Sequence, residues 1–231
     1  MENTKRSRKR QNLAFAIGLS IGLAAVALLL SPVDESLHAH GPMTPGHETI
    51  KCGGCHRPAA GTARQQLQAN ARYLLGLREQ PVDFGYQAVT NERCLGCHER
   101  PNDRHPVYRF LEPRFVKARE AIKPQLCTSC HLEHRGRRVS LTDTGYCSNC
   151  HKDTKLRKDP LDVSHERLIG LKLWESCLGC HDFHGNHLMK TEKRVEQVIP
   201  VEKIRAYFAG AASPYGDVRL HKAKQEIDDE G

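Results

Sequence analysis

The run of apolar and polar positions sets the first 33 residues apart from the rest of the chain. Lys5, Arg6, Arg8, Lys9 and Arg10 form a basic cluster, no charge follows from Gln11 to Val33, and Leu13–Leu30 is almost continuously apolar. A run of that length lies at the boundary between a signal-peptide core and a membrane span. No convincing A-x-A cleavage pattern follows Leu30, where the sequence reads Ser31-Pro32-Val33-Asp34. The expectation is a basic cytoplasmic N-terminus at 1–12 and an uncleaved transmembrane signal anchor at 13–33, with a cleaved signal as the alternative. Basic residues ahead of a span keep that end inside and send the following chain outward.

Beyond Val33 the apolar periodicity is short and interrupted. Asp34–Ile50 reads as a linker with Gly41, Pro42, Pro45 and Gly46. Thr62–Glu79 reads as an amphipathic helix with Ala63, Leu67, Ala71, Leu74 and Leu75 on one face. Shorter helices are expected at Val116–Ile122, ended by Pro124, at Leu168–Trp174 and at Val201–Ala209. Thr191–Gly231 is highly charged and its last ten residues look like a solvated tail. The expected division is a domain at 34–190 and a charged C-terminal extension at 191–231. The fold class is mainly irregular and α, with short helices and loops after one transmembrane helix.

The cysteines explain how so little regular structure can hold together. C-x-x-C-H occurs five times, at Cys52–Cys55–His56, Cys94–Cys97–His98, Cys127–Cys130–His131, Cys147–Cys150–His151 and Cys177–Cys180–His181, and uses all ten cysteines. With 14 histidines in 231 residues, a histidine after all five pairs by chance has odds of roughly one in a million. A disulfide framework needs no such histidine. Structural zinc takes two knuckles per ion and would leave the fifth unpaired. Covalent haem c explains every residue: two thiols add to the two vinyl groups on one porphyrin edge, and the next imidazole reaches the iron as proximal ligand. The cofactors are therefore five covalently bound haem c groups, on His56, His98, His131, His151 and His181.

Composition agrees. Hydrophobic residues make up 39% and aromatics 6% of the chain, thin for an ordinary core once the N-terminal run is subtracted. Five macrocycles can themselves serve as the core of a haem-packed domain. The net charge of +8 is no nucleic-acid signal. Setting aside the N-terminal cluster and Glu2 leaves 30 basic against 26 acidic residues, an excess suited to haem propionates and a docking partner. Cytochrome c maturation on the outer membrane face agrees with the topology of the anchor. Both features place the domain in the periplasm, on the bacterial inner (cytoplasmic) membrane.

"NERCLGCHER" (Asn91–Arg100) and "WESCLGCHDF" (Trp174–Phe183) share E-x-C-L-G-C-H, and "CHLEH" and "CHDFH" share a second histidine three residues after the first. Together with the five motifs and "DVSHERL", these residues make Gly41 to about His187 resemble the class III multihaem cytochromes c. The architecture, one anchor and five haem motifs, more loosely resembles the pentahaem subunit of alternative complex III. The class III resemblance implies iron held between two histidines. Nine histidines remain for the distal positions, and His47, His105, His134, His165 and His184 are the expected ligands. His38 or His40 rivals His47, His187 rivals His184, and Met43 or Met189 offers a thioether. His221 is expected to be a solvated side chain.

His131 and His134 would share one side of a continuing helix, while the axial sites of a haem lie on opposite faces. His134 is therefore expected to serve a different haem from its neighbour, and His184 after His181 likewise. Iron with both axial positions filled is suited to outer-sphere electron transfer rather than catalysis. The expected role is a relay between a quinol-oxidising membrane complex and periplasmic redox partners, with a place as one subunit of a larger respiratory complex among the expected arrangements. The alternatives are a reductase of a small nitrogen or sulfur oxyanion with one open haem, and a structural haem wire. No C-x-x-C-K motif supports the reductase.

Overall fold

A computed structural model describes residues 2–29 and 39–224. The anchor residues 30–33, His38 and the last seven residues lie outside the described part. Helix α1 spans Glu2–Leu29, and its stretch Ser7–Leu28 is long and apolar enough to cross a membrane. The helix therefore extends back through the basic cluster. A second compact unit begins at Gly41.

That unit is built from short helices: α2 (Cys52–Cys55), α3 (Ala63–Leu74), α4 (Asn91–Cys97), α5 (Val116–Ile122), α6 (Ser148–His151), α7 (His165–Gly170), α8 (Cys177–Cys180) and α9 (Val201–Phe208). Several 3-10 turns join them. The described residues form no strand, only isolated bridges at Pro58–Tyr86 and His187–Arg219. The fold class is the one expected from the sequence.

Helix α3 begins where Thr62 and Gln65 form a capping box, each side chain accepting from the other's backbone N–H. It stops at Leu74, before Gly76 turns the chain with φ of 70°, and so is shorter than the expected Thr62–Glu79. Its apolar stripe is not what docks it. Gln66 is buried and donates to the carbonyls of Ala59, Ala60 and Gly61 while accepting from Gly85 N. Asn70 bridges both backbone groups of Val82. These amides satisfy loop backbone that has no sheet to pair with, and Leu67, Leu74 and Leu75 stay exposed.

Helix α5 has the expected bounds, and its exit residue Lys123 is left-handed just before Pro124. The helix expected at Leu168–Trp174 instead starts at His165, because the Ser164 hydroxyl caps it by accepting from Arg167 N. It ends at Gly170, and a 3-10 turn, Trp174–Ser176, leads into the fifth motif.

The C-terminal segment differs most from expectation. It is charged, yet Ile204, Phe208 and Tyr215 are buried and join Tyr146 and Leu178 in a core cluster. Helix α9 presents Ile204 and Phe208, four residues apart, on one face. The segment lies so close to α8 that a Cβ on Gly179 would stand 2.7 Å from the Ile199 carbonyl oxygen. Charge density concealed this because the apolar positions are few and spaced at helical intervals. The stretch expected to be a linker is also partly built in: Thr44 N donates to Glu133 Oε2 and Gly136 N to the Pro42 carbonyl.

Candidate haem-binding site

Each motif folds as one tight turn of the same kind. The N–H of the motif histidine donates to the carbonyl of the first cysteine in all five: His56 to Cys52 at 2.8 Å, His98 to Cys94 at 2.9 Å, His131 to Cys127 at 2.9 Å, His151 to Cys147 at 2.9 Å and His181 to Cys177 at 2.8 Å. An i to i−4 bond brings residues three and four apart onto one side of the turn. The two sulfurs and the imidazole thus come together by local geometry alone.

Tertiary structure then brings a second histidine to every motif histidine. Ring centroids are 6.3 Å apart for His56 and His134, 5.8 Å for His98 and His47, and 6.1 Å for His131 and His184. They are 6.0 Å apart for His151 and His105 and 6.2 Å for His181 and His165. Each ring contact between histidines among the described residues joins one motif histidine to one outside the motifs. A metal lying about 2 Å from each of two imidazole nitrogens separates the ring centroids by roughly 6 Å. The residues fit haem iron.

Most of these imidazoles are oriented through Nδ1, which leaves Nε2 for a metal. His56 and His131 bond the carbonyls of Gln87 and Arg138 at 2.8 and 2.6 Å, and His105 bonds that of Phe183 at 2.6 Å. Three non-motif histidines bond carboxylates instead: His47 to Glu133 at 2.6 Å, His184 to Asp103 at 3.0 Å and His165 to Asp159 at 3.0 Å. No local pattern in the chain points to these partners, which lie six to 86 residues from their histidines. His134 stands apart: its Nδ1 is buried and meets no partner among the described residues.

Protonation favours ligation at four of these rings, while the Glu133 hydrogen bond raises His47. Burial, then the charges of Arg100, His47 and His131, push His98 down to about 4. Burial likewise lowers His105, His131 and His181, so these rings are neutral and carry a free lone pair at neutral pH. Burial opposes ionisation of Glu133, but the His47 hydrogen bond and the Thr44 N–H outweigh it and hold the carboxyl at about 2.

The segment after His131 is not the helix expected from its sequence. A short 3-10 turn, Cys127–Ser129, ends there, and His134 and Gly136 adopt left-handed conformations with φ of 61° and 62°. Gly41 packs against this turn so closely that a Cβ would lie 2.5 Å from the His134 carbonyl oxygen. The turn, and not helical spacing, aims His134 toward His56.

The rival ligands lie elsewhere. His40 is exposed and Met189 packs against the apolar core. His187 bonds Asp182 at 2.8 Å and contacts Tyr207 and Tyr215. His221, expected to be solvated, has a buried Nε2 that meets no partner among the described residues.

The motifs also touch each other. Asn91, at the start of the helix that carries the second motif, donates to the Gln125 carbonyl and accepts from Cys127 N of the third, and Cys147 of the fourth packs against the core cluster that includes Leu178 of the fifth. Phe183 stacks on His105 with centroids 4.2 Å apart and meets His184 edge-on at 5.0 Å.

Repeated C-x-x-C-H turns on a helix-and-loop scaffold, with so few apolar side chains buried among the described residues, are suited to the covalent haem and electron transfer of multihaem c-type cytochromes. The family model described as Cytochrome c3 matches residues 78–152, which hold the second, third and fourth motifs together with His105 and His134. No curated protein and no solved structure matches the chain.

Proposed function

We propose that the chain is a membrane-anchored pentahaem cytochrome c that relays electrons between a quinol-oxidising membrane complex and periplasmic redox partners. The observation that carries this reading is the set of five imidazole pairs, each about as wide as one six-coordinate iron requires. Thioethers would form at Cys52 and Cys55, Cys94 and Cys97, Cys127 and Cys130, Cys147 and Cys150, and Cys177 and Cys180. The haems supply one-electron chemistry when bound. The paired imidazoles would hold each iron from both sides, leaving substrate no iron to bind, and the chain would hold the groups close together.

Closeness follows from shared segments. His134, which faces the first-motif histidine, sits three residues after the third motif; His184, which faces the third, sits three residues after the fifth. Asn91 ties the second motif to the third, and the core cluster around Leu178 brings the fourth to the fifth. The third motif is thus the junction of the relay.

Spectroscopy of the purified protein tests this. All five haems should be low-spin in EPR, and carbon monoxide should bind little of the reduced form. A high-spin haem with stoichiometric carbon monoxide binding would favour the reductase.

Anchoring rests on the apolar helix Ser7–Leu28, whose 22 residues suffice to span a bilayer. The protein should stay with membranes through a high-salt wash and leave them only in detergent. Recovery of a soluble form starting after Leu30 would show that the segment is a cleaved signal.

A further inference from the structure

The five imidazole pairs are not equivalent in what stands behind them. Glu133 Oε1 lies 2.6 Å from His47 Nδ1, Asp103 Oδ2 lies 3.0 Å from His184 Nδ1, and Asp159 lies 3.0 Å from His165 Nδ1. The pairs His105–His151 and His56–His134 lack a carboxylate at their non-motif ring: His105 bonds a backbone carbonyl, and His134 Nδ1 meets no partner among the described residues.

The carboxylates are themselves fixed. Glu133 accepts from Thr44 N at 3.0 Å, Asp103 from His105 N at 2.8 Å, and Asp159 from His165 N at 2.6 Å and Leu161 N at 3.1 Å. Each is partly shielded, with side-chain exposures of 22%, 11% and 17% for Glu133, Asp103 and Asp159, so solvent screens them less than surface charges. Two of them stand beside the ligand of another haem: Glu133 adjoins His134 in sequence, and Asp103 lies two residues before His105.

We propose that Glu133, Asp103 and Asp159 are tuning residues that depress the potentials of the second, third and fifth haems relative to what bis-histidine ligation alone would set. A carboxylate that accepts the Nδ1 proton makes the imidazole a more basic ligand. A more basic ligand, with an anion behind it, stabilises ferric over ferrous iron. The electron therefore meets two classes of haem along the relay, and the junction at the third motif belongs to the lower class. This inference rests on the relay reading above.

The test is a spectroelectrochemical titration of the complete holoprotein and of Glu133→Gln, Asp103→Asn and Asp159→Asn. Amides keep the shape and can still accept the Nδ1 proton, but they lose the charge. Each variant should retain five low-spin haems while one midpoint rises, by about 59 mV for a tenfold change in a one-electron equilibrium. Unchanged midpoints in all three variants, with five low-spin haems retained, would overturn the proposal. Near-infrared magnetic circular dichroism of the unmodified oxidised protein gives a second reading, which stands even if a variant fails to assemble. Its ligand-to-metal band should split into a set of three haems and a set of two, and a single band position for all five would count against tuning. High-spin haem in the unmodified protein would instead refute the ligation on which the relay depends.

Discussion

Replacing His134 with alanine should leave every haem covalently attached and turn one of them high-spin. The thioether cysteines and the motif histidines are untouched by the change, so attachment persists through denaturation. What is lost is the imidazole whose ring stacks at 20° to that of His56 with centroids 6.3 Å apart. The affected haem should be the one on Cys52 and Cys55, although the mutated residue lies beside the third motif. Its potential should rise, and it alone should bind carbon monoxide. Alanine at φ of 61° also carries a backbone cost of roughly 1–2 kcal/mol. His134→Asn is the control, since asparagine tolerates that conformation and cannot replace the imidazole. Both variants should show the same single high-spin haem in EPR. His131→Ala should instead disturb the third haem itself. Five low-spin haems with unchanged potentials in the His134 variants would remove His134 from the ligand set.

The other large effect concerns folding. The domain after Gly41, produced without haem attachment, should lack a cooperative fold. Its buried apolar side chains among the described residues are Ala59, Phe110, Ala118, Tyr146, Leu178, Ile204, Phe208 and Tyr215. Eight such residues cannot offset the conformational entropy of ordering a chain of this length. Leucines next to the motifs, such as Leu95, Leu126 and Leu132, are exposed at 40–42% and would gain apolar contact from bound haem. Circular dichroism and limited proteolysis of the apoprotein should show little ordered structure and rapid cleavage between motifs. A sharp thermal transition in the apoprotein would show that the polypeptide core is sufficient by itself.

These two predictions draw on different kinds of information. The haem-attachment turns were legible in the sequence because all their chemistry lies within five consecutive residues, and one i to i−4 hydrogen bond arranges it. The apolar N-terminal helix and α5 were legible for a similar reason, since their signals are local runs ended by charge or proline. Helix α9 was legible as a helix, but its burial was not. Whether Ile204 and Phe208 face a core depends on Tyr146 and Leu178 arriving from elsewhere in the chain.

Tertiary structure alone decided which imidazole faces which. His47 and His98 are 51 residues apart in sequence, and His56 and His134 are 78 apart; no local rule connects them. It also set His184 apart from His187, near neighbours in one loop, by placing His184 opposite His131 and His187 beside Asp182 and two tyrosines. The carboxylates behind three of the rings were invisible in sequence because Asp and Glu are common in a charged chain, and only folding shows which of them meets an Nδ1. The sequence by itself determined where the five C-x-x-C-H turns lie, because each is built within five consecutive residues. The fold decided which second imidazole faces each motif histidine, because those rings come from segments that only long-range packing brings to about 6 Å.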